Sequence, residues 1–287
     1  MTASPGDCFA VNTYAYTQDM GVLECLSRLA DQGYTAFELM VYPGHLWPAE
    51  LDRQARRSIC SAMEQRGLRL ISLNMPNVDI NIAGASAEMR EYSLGLLEGC
   101  LDLAGDLGAE GLIIGPGKPI PLFPAQHETM LGHFSKAIDR LIPWSEKAGT
   151  ALWLENMPFS FLPGIDQMMK ALDRYGSPQI GVCYDAANAW FLSEGIGQGL
   201  KCAKPRLKLF HLSDTNRDVY RHDPVGMGSV PFAEIPPLLQ EVGYRDFPVL
   251  EIISRALDTD LALSADRLIR MGWPLVTPQR QVRAGSS

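Results

Sequence analysis

The chain has 287 residues, of which 46% are hydrophobic and 20% are charged, and this length is enough to bury a large core. Its formal net charge of −8 and isoelectric point near 5.2 disfavour binding to DNA or another polyanion, because phosphate contacts require clustered Lys and Arg. We therefore expect a small-molecule partner, either neutral or metal-bound, and no nucleic acid.

Six cysteines are scattered along the chain without a C-x-x-C pair, which is neither a zinc-ribbon spacing nor a disulfide framework. The first residues lack the basic and apolar regions of a signal peptide, and no apolar run approaches the ~18 residues of a membrane span. These features predict reduced thiols and a cytoplasmic protein without a membrane partner. Whether it forms a homo-oligomer is left open.

Short apolar runs rich in branched and aromatic residues recur along the chain, each followed by a stretch of helical period. This alternation predicts parallel strands connected by helices. The predicted strands are Phe9–Tyr14, Ala36–Val41, Leu68–Asn74, Gly111–Gly115, Thr150–Asn156, Ile180–Asp185, Leu207–Ser213 and Pro248–Ile253.

The intervening helices are clearest at Val22–Gln32, Arg90–Leu107 and Glu234–Glu241, where apolar residues recur at spacings of three and four. Five glycines stand where a helix closes just before a strand, a position suited to a left-handed residue. They are Gly33, Gly67, Gly108, Gly149 and Gly243.

Eight such units favour a single eight-stranded (β/α)8 TIM barrel, for which ~250 residues are typical, over a doubly wound sheet. We assign residues 1–275 to the barrel and 276–287 to a flexible C-terminal tail. No Gly-x-Gly-x-x-Gly follows the first strand, so no nucleotide cofactor is expected.

The last four predicted strands each carry an ionisable residue in or beside an apolar run: Glu155, Asp185, His211 and Glu251. Separate rim salt bridges would explain any one of them, but four in successive strands require a common cause, because burying an unpaired charge is costly. The C-terminal ends of barrel strands converge on one mouth, where three carboxylates and one imidazole can bind one divalent metal. Mn²⁺ is our first expectation, with Mg²⁺, Co²⁺ or Zn²⁺ as alternatives.

The chain resembles the xylose-isomerase-like barrels, which include ketose 3-epimerases, hydroxypyruvate isomerases, inosose isomerases and dehydratases, and AP endonucleases. The resemblance covers roughly residues 9–254. It depends on Gly33 to Leu39, Leu154-Glu155-Asn156, the Asp185 strand, His211-Leu212-Ser213-Asp214, the Gly226-Met227-Gly228 turn and Glu251.

The resemblance implies that Glu155, Asp185, His211 and Glu251 are metal ligands, and that Glu155 and Glu251 are also the catalytic acid/base pair. A metal that polarises a carbonyl makes the adjacent proton more acidic, and two carboxylates can remove and return it through an enediolate. The implied function is a metal-dependent isomerase or epimerase of a sugar or related hydroxy-carbonyl compound.

One departure concerns the residue after the sixth strand. Sugar isomerases and epimerases of this group usually carry Asp-x-x-His, but here Asn188 stands in the histidine position and cannot carry a proton near neutral pH. A dehydratase or lyase outcome by β-elimination is therefore the alternative.

Six residues are candidates for substrate binding. Arg217 matches an arginine that contacts substrate oxygens in ketose-epimerase-like members, and Asn188 can still form hydrogen bonds. Glu38 ends the second strand, His222 lies in the long loop after the seventh, Trp47 follows the second strand, and Lys118 follows the fourth. For each, an ordinary surface or packing role is the competing interpretation.

Two further functions compete. A phosphodiesterase on abasic DNA is disfavoured because those relatives bind three zinc ions with a larger histidine set, and this chain has five histidines and an acidic charge. A non-catalytic barrel that binds a metal or small molecule is the remaining alternative.

Overall fold

Eight parallel strands follow one another around a closed barrel in chain order, with β1 pairing with β8. The computed structural model describes residues 4–76 and 79–276. The eight-stranded prediction is confirmed. The strands are β1 Ala10–Asn12, β2 Ala36–Met40, β3 Arg69–Asn74, β4 Gly111–Ile114, β5 Ala151–Glu155, β6 Gly181–Asp185, β7 Leu207–Leu212 and β8 Val249–Leu250.

Helices connect successive strands on the outside of the barrel, and the three helices predicted from apolar spacing are present. In the described residues they are α1 Val22–Asp31, α2 Arg53–Gln65, α3 Ala87–Leu107, α4 His127–Ala148, α5 Ile165–Tyr175, α6 Ala186–Phe191, α7 Ile196–Ala203, α8 Ile235–Val242 and α9 Leu257–Arg270. None of the helices in the described part of the chain is both long and apolar enough to cross a membrane.

The five glycines predicted to close helices all have positive φ, and Gly176 ends α5 in the same way at φ 86° without having been predicted. The following strand, β6, begins five residues later, at Gly181.

A layer of apolar side chains, including Trp153, Cys183, Leu209 and Val249, fills the barrel interior as a cluster separate from the packing between strands and helices. Trp153 is large enough to require glycine on both neighbouring strands. A Cβ at Gly111 would lie 2.4 Å from the indole, and one at Gly181 would lie 2.6 Å from it. This layer closes the barrel below the site.

The predicted ligands follow this layer by two residues along the chain, on β5, β6 and β7 and just after β8. Because side chains alternate between the two faces of a strand, Glu155, Asp185, His211 and Glu251 point inward, one level nearer the C-terminal mouth. The alternation of the strand therefore places four ionisable groups above an apolar floor.

The other end of the barrel carries an ion-pair network. Arg69 begins β3 and its Nη2 lies 2.6 Å from both Glu110 Oε1 and Asp246 Oδ2. Near this end the Val276 N–H donates to the Asp7 carbonyl at 2.8 Å. Residues 277–287 of the predicted tail lie outside the described residues, and the division at residue 275 stays a prediction.

Candidate metal and active site

Four buried side chains meet at the C-terminal mouth of the barrel. A ligand atom from each of Glu155, Asp185, His211 and Glu251 lies within 4.8 Å of every other. His211 Nδ1 is central to the group, at 3.6 Å from Glu155 Oε1, 3.7 Å from Asp185 Oδ2 and 3.3 Å from Glu251 Oε2. The topology thus brings together the four residues that the sequence singled out.

One atom of each of these residues is buried and makes no hydrogen bond to the described protein. These atoms are Glu155 Oε2, Asp185 Oδ2, His211 Nδ1 and Glu251 Oε2. Buried polar atoms are almost always satisfied, so four orphaned atoms at one point require a common partner. Three carboxylate oxygens and one imidazole nitrogen suit a divalent cation, and the cluster could hold such an ion.

Crowding shifts the pKa values of the carboxylates in different directions. Burial raises the pKa of Glu155, and it raises the pKa of Asp185 to about 7. For Glu251, burial also favours the neutral form, but the His211 and His222 imidazoles outweigh it and hold its pKa well below the usual range. Carboxylates this close repel one another when all are ionised, and a cation between them removes that repulsion.

Glu38 supports the cluster from β2. Its Oε1 lies 3.1 Å and its Oε2 3.2 Å from His211 Nε2, on the far side of the ring from the orphaned Nδ1. Asn12 Nδ2 donates to Glu38 Oε1 at 2.5 Å, and Ser72 Oγ donates to Oε2 at 2.6 Å. A carboxylate that accepts from one ring nitrogen fixes the tautomer and leaves the other available as a ligand.

The Asp185 carboxylate is oriented by its neighbour Asn188 on α6. Its Oδ1 accepts the Asn188 N–H at 2.6 Å and caps α6, which directs Oδ2 toward the cluster. Asn188 Nδ2 in turn donates to Glu155 Oε1 at 3.2 Å, while Asn188 Oδ1 is buried without a hydrogen-bond partner. Asn188 therefore links two of the candidate ligands directly.

His222 reaches the same site from the loop after β7. Its Nδ1 lies 2.9 Å from Ser213 Oγ and 3.2 Å from Glu251 Oε2, and its Nε2 lies 2.8 Å from the Tyr220 hydroxyl. Burial disfavours the protonated ring, but Glu251 and Asp185 outweigh it and raise the pKa of His222 to about 9. A second imidazole thus stands beside the Glu251 carboxylate.

A cavity of about 420 Å³ opens above the cluster. Its lining residues are Tyr14, Met40, Asn74, Pro76, Lys118, Glu155, Met157, Pro158, Phe159, Ser160, Asn188, Tyr220, His222, Glu251 and Ile253. A volume of this size suits a small organic molecule.

The predicted substrate-binding residues are distributed unevenly around this cavity. Asn188, His222 and Lys118 line it. In the described part of the chain, Arg217, Trp47 and Glu38 are not lining residues. The Arg217 guanidinium is exposed and lies over Trp190 at 4.1 Å from the ring centroid, Trp47 packs partly buried against the core, and Glu38 lies beneath His211. Contact of these six with a substrate stays a prediction.

Several supporting residues were not singled out from the sequence as site residues. Asn12 joins Glu38 to Glu251, and the Asn156 amide pairs with the Asp185 backbone at 2.8 and 3.0 Å. Asn12, Asn74 and Asn156 all lie at or just after strand ends, but their side chains are neutral, so no buried charge marks them as site residues in the sequence. Their position at the strand ends is the signal that was available.

Among proteins of known sequence, the chain is similar to an uncharacterised protein of Methanocaldococcus jannaschii, at 23% identity over 69% of this chain and 75% of that protein. It is also similar to a putative L-ribulose-5-phosphate 3-epimerase of Haemophilus influenzae, at 24% identity over 58% of this chain and 59% of that one. A probable endonuclease 4 of Mycobacterium leprae matches at 26% identity over 53% and 61% of the two chains.

Solved structures share the fold. A D-tagatose 3-epimerase-like protein superposes with a TM-score of 0.80 at 17% identity, over 92% of this chain and 96% of that one. An IolI protein with a bound zinc atom superposes with a TM-score of 0.73 at 16% identity, over 92% and 94%. The sequence pattern of the xylose isomerase-like TIM barrel matches residues 26–271, and the chain therefore belongs to that family.

Proposed function

We propose that this protein is a divalent-metal-dependent isomerase or epimerase that acts on a sugar or related hydroxy-carbonyl compound. The observation that carries the proposal is the set of four orphaned, buried ligand atoms at the base of an open cavity. The names of its structural neighbours, which include several sugar 3-epimerases, support the same substrate class.

Glu155, Asp185, His211 and Glu251 would hold the metal, for which Mn²⁺ is our first choice because the donor set is rich in carboxylate oxygen. When bound, a divalent cation polarises a substrate carbonyl and makes the neighbouring C–H more acidic. His211 is prepared for this role by Glu38, which accepts from Nε2 and leaves Nδ1 directed at the carboxylates.

Glu155 and Glu251 would move the proton. Both line the cavity, and they lie on β5 and just after β8, so they approach a substrate from different sides of the mouth. One of them, as the carboxylate, removes the proton next to the carbonyl to give an enediolate. The other, as the carboxylic acid, gives its proton to the opposite face or to the neighbouring carbon. The Asn188 amide, which donates to Glu155 Oε1, holds that carboxylate in place.

Exchange of the substrate α-proton in D₂O tests this proposal. The Mn²⁺-loaded protein should wash deuterium into a ketose at the carbon beside the carbonyl, as measured by NMR, and Glu155→Gln or Glu251→Gln should lower the exchange rate by at least about 10²-fold. Because both residues are also candidate ligands, Mn²⁺ content is measured for each variant. The matched control is Glu91→Gln, which removes an exposed carboxylate of α3. Full exchange in both active-site variants would contradict the mechanism.

A β-elimination outcome is the second candidate. Asn188 lines the cavity where the usual histidine would stand, while His222 places a proton-carrying ring 3.2 Å from Glu251. After α-proton removal, such a ring can protonate a β-hydroxyl that departs as water. Mass spectrometry of the product separates the outcomes, because elimination lowers the mass by one water and isomerisation leaves it unchanged.

A further inference from the structure

One side of the active-site cavity changes character between base and mouth, whereas Tyr14, Lys118 and Tyr220 supply polar groups elsewhere around it. At the base stand residues at or just after the strand ends, Asn74, Glu155 and Glu251 among them. Two to four residues further along the same three segments stand Pro76, then Met157, Pro158 and Phe159, and finally Ile253. We call these five residues the apolar wall. They carry neither an N–H or O–H donor nor an oxygen acceptor in their side chains.

Exposure increases in the same direction. Glu155 and Glu251 are 2% and 6% exposed, whereas Ile253 is 42% and Phe159 is 62% exposed. The apolar wall is therefore not part of the core. Large apolar side chains that face solvent beside a binding cavity mark a surface that a ligand covers.

Phe159 is held in place by neighbouring rings. Its ring centroid lies 6.0 Å from that of Phe191 and 5.4 Å from that of Tyr220. The Tyr220 hydroxyl in turn forms a hydrogen bond with His222. The ring is thus supported from α6 and from the loop after β7, and presents its remaining surface outward. A ring packed in this way offers a fixed contact area at little cost in conformational entropy.

A free ketose fits the apolar wall poorly, because each carbon beyond the carbonyl carries a hydroxyl. Hydroxyl groups placed against the apolar wall would lose water without gaining a partner, which is costly. A molecule with hydroxyl and carbonyl groups at one end and an apolar ring at the other matches both regions.

We propose that the substrate is a hydroxy-carbonyl compound that bears an apolar, aromatic substituent, with the carbonyl end at the base of the cavity and the substituent against the apolar wall. This inference rests on the proposed function, since the carbonyl end is placed by the candidate metal ligands. It narrows the substrate class from free ketoses to aryl-substituted derivatives.

D-Fructose and 6-O-benzyl-D-fructose test the proposal, because the benzyl group sits at the end of the sugar remote from the carbonyl. Calorimetric titration of the Mn²⁺-loaded protein should show the benzyl compound binding about tenfold or more tightly, as expected for burial of one ring. The preference should fall below about threefold in Phe159→Ala combined with Ile253→Ala, and persist in Leu263→Ala, which removes a 44% exposed leucine of α9.

Equal binding of the two compounds, or a preference that survives the double substitution, would overturn the inference. Deuterium exchange on the same samples separates it from the proposed function. Exchange of both compounds at equal kcat/KM would support the proposed function and overturn the substrate class. Preferential binding of the benzyl compound with no exchange on either would overturn the proposed function.

Discussion

Glu38 and His211 form a buried pair in which the carboxylate lies 3.1 Å from Nε2 while Nδ1 faces Glu251 at 3.3 Å. Both side chains are fully inaccessible to solvent. The pair joins β2 to β7 across the barrel interior. Glu38, which is not a candidate ligand, therefore determines which ring nitrogen of His211 is available to a metal.

Glu38→Gln tests this control. The amide puts an NH₂ group where the carboxylate accepts from Asn12, Ser72, Asn74 and His211, so the imidazole loses its fixed tautomer. We expect Mn²⁺ affinity to fall about 10–100-fold in calorimetric titration. Glu98→Gln, which alters an ion pair with Arg140 between outer helices, should leave affinity unchanged. Wild-type affinity in the Glu38 variant would show that Glu38 does not orient the ligand.

Metal removal should destabilise the protein. A ligand that binds only the folded state at 100 times its dissociation constant adds about 2.7 kcal/mol to the free energy of unfolding. Chelation should therefore lower the Tm, and Mn²⁺ should restore it, as followed by scanning calorimetry. Asp185→Asn should abolish the Mn²⁺-dependent shift, whereas Asp31→Asn, at an exposed pair with Arg66, should retain it. Elemental analysis should give one ion per chain. Three tightly bound zinc ions would instead favour the endonuclease alternative.

Tyr220→Phe should lower kcat/KM without unfolding the protein. The variant loses the 2.8 Å hydrogen bond to His222 Nε2 but keeps the ring that packs on Phe159 and Phe191. One lost hydrogen bond corresponds to about a five- to tenfold fall in kcat/KM, with a change of no more than about 1.5 kcal/mol in stability. Tyr175→Phe removes a comparable 2.7 Å bond to Asp139, remote from the cavity, and should leave kcat/KM unchanged. An equal fall in both variants would refute a specific role for Tyr220.

Asp214 should prove essential for the loop that carries His222. Its carboxylate accepts the backbone N–H groups of Thr215, Gly226 and Val230 at 3.0, 2.7 and 3.1 Å. Asp214→Ala leaves these three N–H groups without an acceptor. We expect the free energy of unfolding, measured by urea denaturation, to fall by about 2–4 kcal/mol. Asp214→Asn keeps one acceptor oxygen, so its free energy of unfolding should lie between those of the wild type and Asp214→Ala. Wild-type stability in the alanine variant would contradict this account.

Arg69 should matter for stability and not for turnover. It lies at the N-terminal end of the barrel, is 28% exposed, and bridges Glu110 and Asp246. Arg69→Met should cost about 1–3 kcal/mol, because two carboxylates lose their partner, and kcat should stay unchanged. Arg140→Met, which removes ion pairs with Glu91 and Glu98 at a more exposed position on the outer helices, should cost less than about 1 kcal/mol. If Arg69→Met lowered kcat and left the free energy of unfolding unchanged, Arg69 would have a role in turnover and this prediction would be wrong.

The barrel and the four candidate ligands were predictable from the sequence because each depends on patterns among residues close together in the chain. Glu155, Asp185, His211 and Glu251 stand out as charged or polar residues at the ends of apolar runs, and strand alternation then sets their direction. Asn12 and Asn156 stand in equivalent positions but are neutral, so nothing distinguishes them from ordinary strand-end amides.

The loop after β7 shows what local patterns do not encode. Asp214 and Asp223 pair through two 2.8 Å backbone hydrogen bonds and turn residues 214–223 back on themselves. His222, near the closed end of this loop, returns to the site, while Arg217 lies further out and stacks on Trp190. Sequence spacing gave no reason to separate these two residues, because the turn depends on contacts between its two ends.

The hydrogen bond from Asn12 to Glu251, at 3.3 Å, spans the seam where the first and last strands meet. All four candidate ligands come from the second half of the chain, but the groups that hold Glu251 and His211 come from β1 and β2. A chain during synthesis would therefore lack an ordered ion-binding centre until the barrel seals. Fragments that lack either end should therefore be unable to bind the proposed ion.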